Sequence, residues 1–265
     1  MINVNTLTAG LGSPFLAPRG LPIKPAPVPA DRAARTLIMS RARVMQVVAV
    51  LLMLCLVAAA GMVVLFYPAV VAGDATQAEL ARNLGYGAGV VGLSVAALTA
   101  FYRWTAPWTA PFYALASGVF MSGLALGFEH EFPGIALQSL SLTFAVFLAL
   151  WVLHGLGLIR VGRRLMVLTY TATAAIGLVY LASFALWLLG QRLPLIHEAG
   201  TGGILWMGFI VTVASLNLLV DFERIARLEG RLQPSYMPWF VGLGLMVTLV
   251  WLYLSVLRLL ARVRR

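Results

Sequence analysis

Asp221 is the residue whose surroundings most invite chemistry. It lies in the run Asn217-Leu218-Leu219-Val220-Asp221-Phe222-Glu223, where an apolar stretch closes. An ionised carboxylate at membrane depth costs about 2.5–3.5 kcal/mol on insertion scales, so acids kept there tend to mark ion paths or ion pairs. Arg103 ends an earlier apolar stretch on the same expected face, and an Asp221–Arg103 ion pair is the expectation. A second group comprises Glu129-His130-Glu131 and His197-Glu198. Imidazole with carboxylate suits zinc, and several carboxylates suit calcium. Glu129, His130 and Glu131 are therefore a candidate metal site, and a metal-dependent intramembrane enzyme is the competing reading. Neither cluster has a recognised ligand spacing, and such residues also serve as solvated loop charge.

Other reactive types exclude more than they suggest. Lys24 is the only lysine and lies outside every long apolar run, which removes retinal Schiff-base chemistry. His154 is the one histidine inside an apolar run, and no serine motif accompanies it as a serine protease would require. It reads as an interfacial histidine. Cys55, the single cysteine, permits no internal disulfide and reads as a small packing residue. No cofactor and no enzymatic activity are expected.

The elements that must position these residues follow from where charge is missing. Of 265 residues, 61% are hydrophobic and only 11% are charged. Soluble domains carry about 25% charged residues. Seven windows contain no formal charge: Val44–Gly73, Asn83–Tyr102, Trp104–Phe128, Phe132–Ile159, Leu165–Gln191, Ala199–Val220 and Leu232–Leu257. Each is long enough for a helix to cross the hydrocarbon layer, which takes about 20 apolar residues. Strands of a barrel would instead alternate over about ten residues. The fold class is all-α, a bundle of seven transmembrane helices in a lipid bilayer.

Residues 1–40 form a polar tail with six prolines, expected to be disordered, and residues 41–265 form the membrane domain. The first long apolar run begins only near Val44 and reads as a signal anchor. Arg19, Lys24, Arg32, Arg35, Arg41 and Arg43 precede it, which places the N-terminus in the cytoplasm. Arg103, Arg160, Arg163, Arg164, Arg224, Arg227 and Arg231 then fall in inner loops, against Arg82 and Arg192 in outer ones. The net charge of +10 is explained by this bias without nucleic acid as a partner. Arg258, Arg262, Arg264 and Arg265 dissent, because seven crossings put them outside. Either the last helix is re-entrant, or the upstream charges fix the orientation. Pro107 and Pro111, Pro133-Gly134 and Pro238 mark helix starts, and Ala114, Gly118 and Ser122, with Gly123 and Gly127, recur every four residues as close-packing positions.

Three segments carry a resemblance: "WTAPWTAPFYALASGVFMSGLALGFEHEFPGIALQSLSLTF" (Trp104 to Phe144), "LNLLVDFERI" (Leu216 to Ile225) and "VTLVWLYLSVLRLL" (Val247 to Leu260). In this order they resemble the Bax inhibitor-1/YccA-like membrane proteins, in their bacterial branch. The resemblance covers residues 100–260 well and the first helix less well. It implies six helices around a central seventh. It also implies calcium or proton leak, or regulation of a membrane partner such as a protease. The leak in that family uses two aspartates on the last two helices, with an arginine of helix 2 as latch. Asp221 matches the first aspartate. The second falls ten residues before Arg258, at Thr248, which is no acid, so the pair is incomplete. Two close carboxylates share protons and sense pH; a leak here is expected to sense it less. Arg103 is the expected latch. The composition, rich in Ala, Leu and Arg, points to a bacterial inner membrane.

Overall fold

The computed structural model describes residues 36–159, 161–189 and 201–264. A short strand β1 (Thr36–Ile38) precedes helices α1 (Arg41–Val71), α2 (Ala75–Phe101), α3 (Ala106–Glu131), α4 (Ile135–Gly155), α5 (Arg163–Leu188) and α6 (Thr201–Leu228). Strand β2 (Leu232–Pro234) and helix α7 (Met237–Val263) complete it. All seven helices are long and apolar enough to span a membrane. Each of the seven uncharged windows holds the greater part of one helix, because lipid leaves backbone N–H and C=O groups no partner outside the helix itself.

The helix ends are specified locally. Asp74 caps α2, its Oδ1 accepting from the N–H groups of Thr76 at 2.9 Å and Gln77 at 3.2 Å. Gly73 and Gly134 take φ of +89° and +81° in the turns before α2 and α4, a conformation that a side chain would strain. Pro107 and Pro238 occupy the first turns of α3 and α7, where a missing N–H costs nothing. Pro111 lies inside α3 rather than at its start.

Helix α7 occupies the middle of the bundle. It packs on α1, α3, α4 and α6, and 67% of its most apolar window is buried, against 11% for α5. Close approach elsewhere depends on α3. A Cβ on Gly123 would lie 2.5 Å from the Ala81 carbonyl oxygen and 2.8 Å from Gly85 Cα. A Cβ on Gly118 would collide with the carbonyl of Cys55 and come within 2.9 Å of Ala58 Cβ. The small-residue rows therefore seat α3 against α2 and α1, with Cys55 a buried packing residue.

Two expectations about the ends change. The membrane domain starts before residue 41: Met39 is buried, its N–H donates to the Arg231 carbonyl at 2.9 Å, and its carbonyl accepts from Gly230 N–H. The strand pair β1–β2 makes this short clasp. The rest of the expected disordered tail, with Arg160, Arg192, His197, Glu198 and Arg265, lies outside the described residues. The C-terminal question is answered by Arg264. Its guanidinium donates to the Pro133 carbonyl at 2.9 Å and to Gln138 Oε1 at 2.5 Å. The last helix therefore ends beside the α3–α4 turn, at the opposite end of the bundle from the start of α1. It makes a full crossing, not a re-entrant loop.

Gly118→Ala is expected to lower unfolding stability by about 1–3 kcal/mol, the usual range for forced overpacking. Gly177→Ala, whose Cβ meets nothing within 4 Å, is expected to be neutral or stabilising. Denaturant titration in detergent, followed by circular dichroism, gives both signs.

Candidate ion site

Asp221 does not close its helix. α6 runs two further turns to Leu228, so the carboxylate lies inside the bundle with a side chain only 15% exposed. Across from it on α7, Thr248 Oγ1 stands 2.6 Å from Asp221 Oδ2, with the Gly244 carbonyl 3.2 Å away as its other neighbour. Thr248, the position to which the resemblance pointed, therefore faces Asp221 directly. A hydroxyl donates one proton to the carboxylate and brings no charge of its own.

The cation beside Asp221 is Arg224, one turn along the same helix, with Nη1 3.7 Å from Asp221 Oδ1. Its Nη2 donates to the Tyr170 hydroxyl of α5 at 2.7 Å. The expected Asp221–Arg103 pair does not form. Arg103 opens a 3-10 turn after α2, and its guanidinium sits over the Phe240 ring, 5.4 Å from the centroid. Helix α2 packs on α1 and α3, while α6 packs on α4, α5 and α7, so no shared interface brings the two residues together. Arg103 instead joins the end of α2 to the first turn of α7. The sequence carried the right signal for the true partner, an acid and an arginine spaced i and i+3.

One turn before Asp221 on α6, a short seam of polar side chains lies between α5 and α6. Asn217 Nδ2 donates to Thr173 Oγ1 at 2.6 Å and to the Val213 carbonyl at 3.0 Å. Thr173 donates in turn to the Thr169 carbonyl at 2.8 Å. Beyond Asn217 the seam stops at an apolar cluster of Ile176, Met207, Ile210 and Val213. On the other side of Phe222, Glu223 accepts from Arg227 Nε at 2.8 Å and lies 4.0 Å from His154 Nε2 of α4. Arg41 Nε meets Glu229 Oε2 at 2.7 Å. One end of α6 is thus tied to α1, α4, α5 and α7 by polar contacts. His154 is an interhelical residue as well as an interfacial one, its ring stacked on Phe222.

The geometry gives Glu129 a role other than that of a metal ligand. Glu129 is buried and commits both carboxylate oxygens to the chain, accepting from Gly134 N–H at 2.6 Å and Ala136 N–H at 3.0 Å. These are donors at the start of α4 that no helical carbonyl can satisfy. His130 and Glu131 are exposed, and among the described residues no three His, Cys, Asp or Glu side chains gather as ligands. Glu129 is a clamp across the α3–α4 turn. The adjacent Pro-Gly, which leaves the first turn of α4 in need of a cap, was the signal for it.

Glu129→Ala should cost about 1–3 kcal/mol of stability, the usual penalty for stranding buried donors. His130→Ala should stay within about 0.5 kcal/mol, as exposed substitutions do. Thermal unfolding with and without a zinc chelator checks both: a chelator-dependent shift would restore the metal reading.

Compared with known proteins, the chain matches the family described as Bax inhibitor 1 like over residues 13–265. No curated protein and no solved structure matches it. The matched span takes in all seven helices, the buried Asp221 and the central α7, and the chain belongs to the Bax inhibitor 1 like family.

Proposed function

We propose that this protein is a non-enzymatic ion leak of the bacterial plasma membrane, in which Asp221 is the group that carries the permeating charge. The observation that supports this most is the placement of Asp221, a carboxylate inside the bundle, opposite Thr248, with a polar seam on one side and a dry cluster closing it. An acid kept at membrane depth is costly to insert, and its retention there is accounted for by transport better than by packing.

The donor set favours protons over calcium. Calcium takes six to eight oxygens, typically from several carboxylates. Asp221 and Thr248 with the Gly244 carbonyl supply far fewer, and Arg224 adds a positive charge beside them. A proton needs one acceptor and a hydrogen-bonded route. In this reading Asp221 takes up a proton on the Arg224 side and the Thr248 hydroxyl reorients between its two acceptors as the carboxylate changes charge. The cluster of Ile176, Met207, Ile210 and Val213 forms the resistive part of the path. The rate is low because that part is dry. Regulation of a membrane partner such as a protease is the other activity that family membership brings into view, and no particular contact favours it.

Proton flux in proteoliposomes is expected to fall at least about tenfold in Asp221→Asn, which removes the titrating carboxylate from the path. The intact protein should show a shallow dependence across pH 5–8. Thr248→Asp should steepen it, because two facing carboxylates share a proton. Unchanged flux in Asp221→Asn would overturn the reading.

The proposed orientation places the N-terminus in the cytoplasm. It rests on thirteen basic residues in the tail and inner loops against Arg82 and Arg192 outside. In a Cys55→Ala background, a membrane-impermeant maleimide added to intact cells should label Glu79→Cys and leave Arg231→Cys unlabelled. The reverse pattern would invert the topology.

A further inference from the structure

A groove runs down the face of the bundle where α1 and α4 stand apart. α1 packs on α3 and α7, α4 packs on α7 and α6, and the two do not pack on each other along their length. Between them lies a cavity of about 390 Å³ floored by α3 and by Tyr253 of α7. It continues into a smaller one of about 50 Å³ that shares Cys55, Leu56, Met121, Leu140 and Tyr253 with it and reaches Phe147. From Gly134 to Phe147, the two ends on α4, the helix rises about 20 Å at 1.5 Å per residue. One leaflet of a roughly 30 Å hydrocarbon core is about 15 Å deep, so the groove is at least as long as one lipid tail.

Its chemistry is graded along that length. The deep part is lined by aliphatic, aromatic and sulfur-bearing side chains, and the hydroxyl of Thr143 there is already spent on the Ser139 carbonyl at 2.7 Å. Polar groups occur toward one end, where Glu129 and Gly134 mark the α3–α4 turn and Tyr67 lies near the end of α1. Ser122 is already engaged, donating to the Gly118 carbonyl at 2.7 Å, and Glu129 caps α4 through both oxygens. Water needs a roomy site with two to four polar partners, which the deep part does not offer. A void lined by carbon forfeits dispersion contacts on one side. The rim residues Val63, Leu137 and Phe144 are exposed, so the groove opens sideways between two membrane-spanning helices, where the surrounding solvent is lipid. The Tyr67 hydroxyl, which bonds nothing among the described residues, stands at the end where a headgroup would lie, and tyrosine favours that depth.

We infer that this groove is a binding site for one acyl chain of a bilayer phospholipid, inserted from the leaflet on the side of the α3–α4 turn, with its headgroup beside Tyr67. The tail fills the space between α1 and α4 and lies on Tyr253, so the central helix has a lipid as one of its neighbours. This inference does not rest on the proposed proton path. It predicts a lipid that exchanges more slowly than those around the rest of the bundle.

The test uses the full-length protein in vesicles of phosphatidylglycerol and phosphatidylethanolamine containing a phospholipid with a diazirine midway along one acyl chain. After illumination, peptides are mapped by mass spectrometry. A held tail dissociates slowly, so labelling of the segments 55–67 and 136–147 is expected to exceed that of the exposed α2 face at Val90 and Leu93 by at least about threefold. Ala59→Trp, which fills the groove, should bring it down to the level of that face. Leu137→Trp, on the exposed rim and easily tolerated, should do the same if Ala59→Trp does not fold. Unaltered labelling at Val90 and Leu93 reports an intact bundle in each case. Equal labelling of groove and control face, or excess labelling that survives both variants, overturns the inference. Groove labelling by a diazirine fatty acid but not by the phospholipid overturns it as well, because the occupant is then a free acid.

Discussion

Lipid gives helices no hydrophobic reason to associate, since a hydrocarbon tail satisfies a leucine as well as another leucine does. The bundle therefore depends on how closely backbones approach and on polar links across helices. Here the closest approaches converge on α3, where Gly118 receives the backbone of α1 and Gly123 that of α2. With those three helices drawn together, α7 finds a trough formed by α1 and α3, and α4 and α6 close around it. The burial of α7 follows from that order of packing. A side chain at Gly118 or Gly123 would lever α1 or α2 away and expose the central helix.

The two ends of the bundle are secured by different means. At the α3–α4 turn the fastening is local: Glu129 satisfies the first N–H groups of α4, and Arg264 brings the end of α7 against Pro133 and Gln138. At the other end, α6 and the turn after it are joined to their neighbours by Arg41 with Glu229 and Arg224 with Tyr170, and His154 lies 4.0 Å from Glu223. Several of these are half exposed, where an ion pair is worth about 1 kcal/mol or less. That end is the more readily rearranged. It is also the end that holds Asp221, so this acid sits where its surroundings can respond to its charge.

A hydroxyl rather than a carboxylate at position 248 limits what the Asp221 site is able to do. A pair of facing acids titrates as a unit, with a proton held between them. Asp221 and Thr248 make one titrating group and one neutral donor, and the neighbouring positive charge of Arg224 is permanent. The two side chains face each other with a single carboxylate between them. Arg103, just after the end of α2, takes the face of Phe240 as its partner. Cation–π contact fixes the end of α2 to the first turn of α7 without linking Arg103 to the charge state of Asp221.

Seven spans and the all-α class were legible in the sequence, because absence of charge over twenty residues in lipid admits little else. So were the close-packing glycines, whose spacing of four is the helix's own period. The end of α6, which runs past Asp221 to Leu228, was not. Position 248 came from the resemblance, by counting back along its motif from Arg258, and the Thr248 hydroxyl does face Asp221. What tertiary structure alone decided is which helices touch. Arg103 and Asp221 share a membrane face, yet α2 and α6 share no interface, and a charge pairs with what lies within a few ångströms, not with what lies at the same depth. Glu129 looked like a ligand because its neighbours in sequence are His130 and Glu131. The chain's turn at Gly134 brings the N–H groups of α4 to it first, and an unsatisfied backbone donor in a buried turn takes the nearest carboxylate.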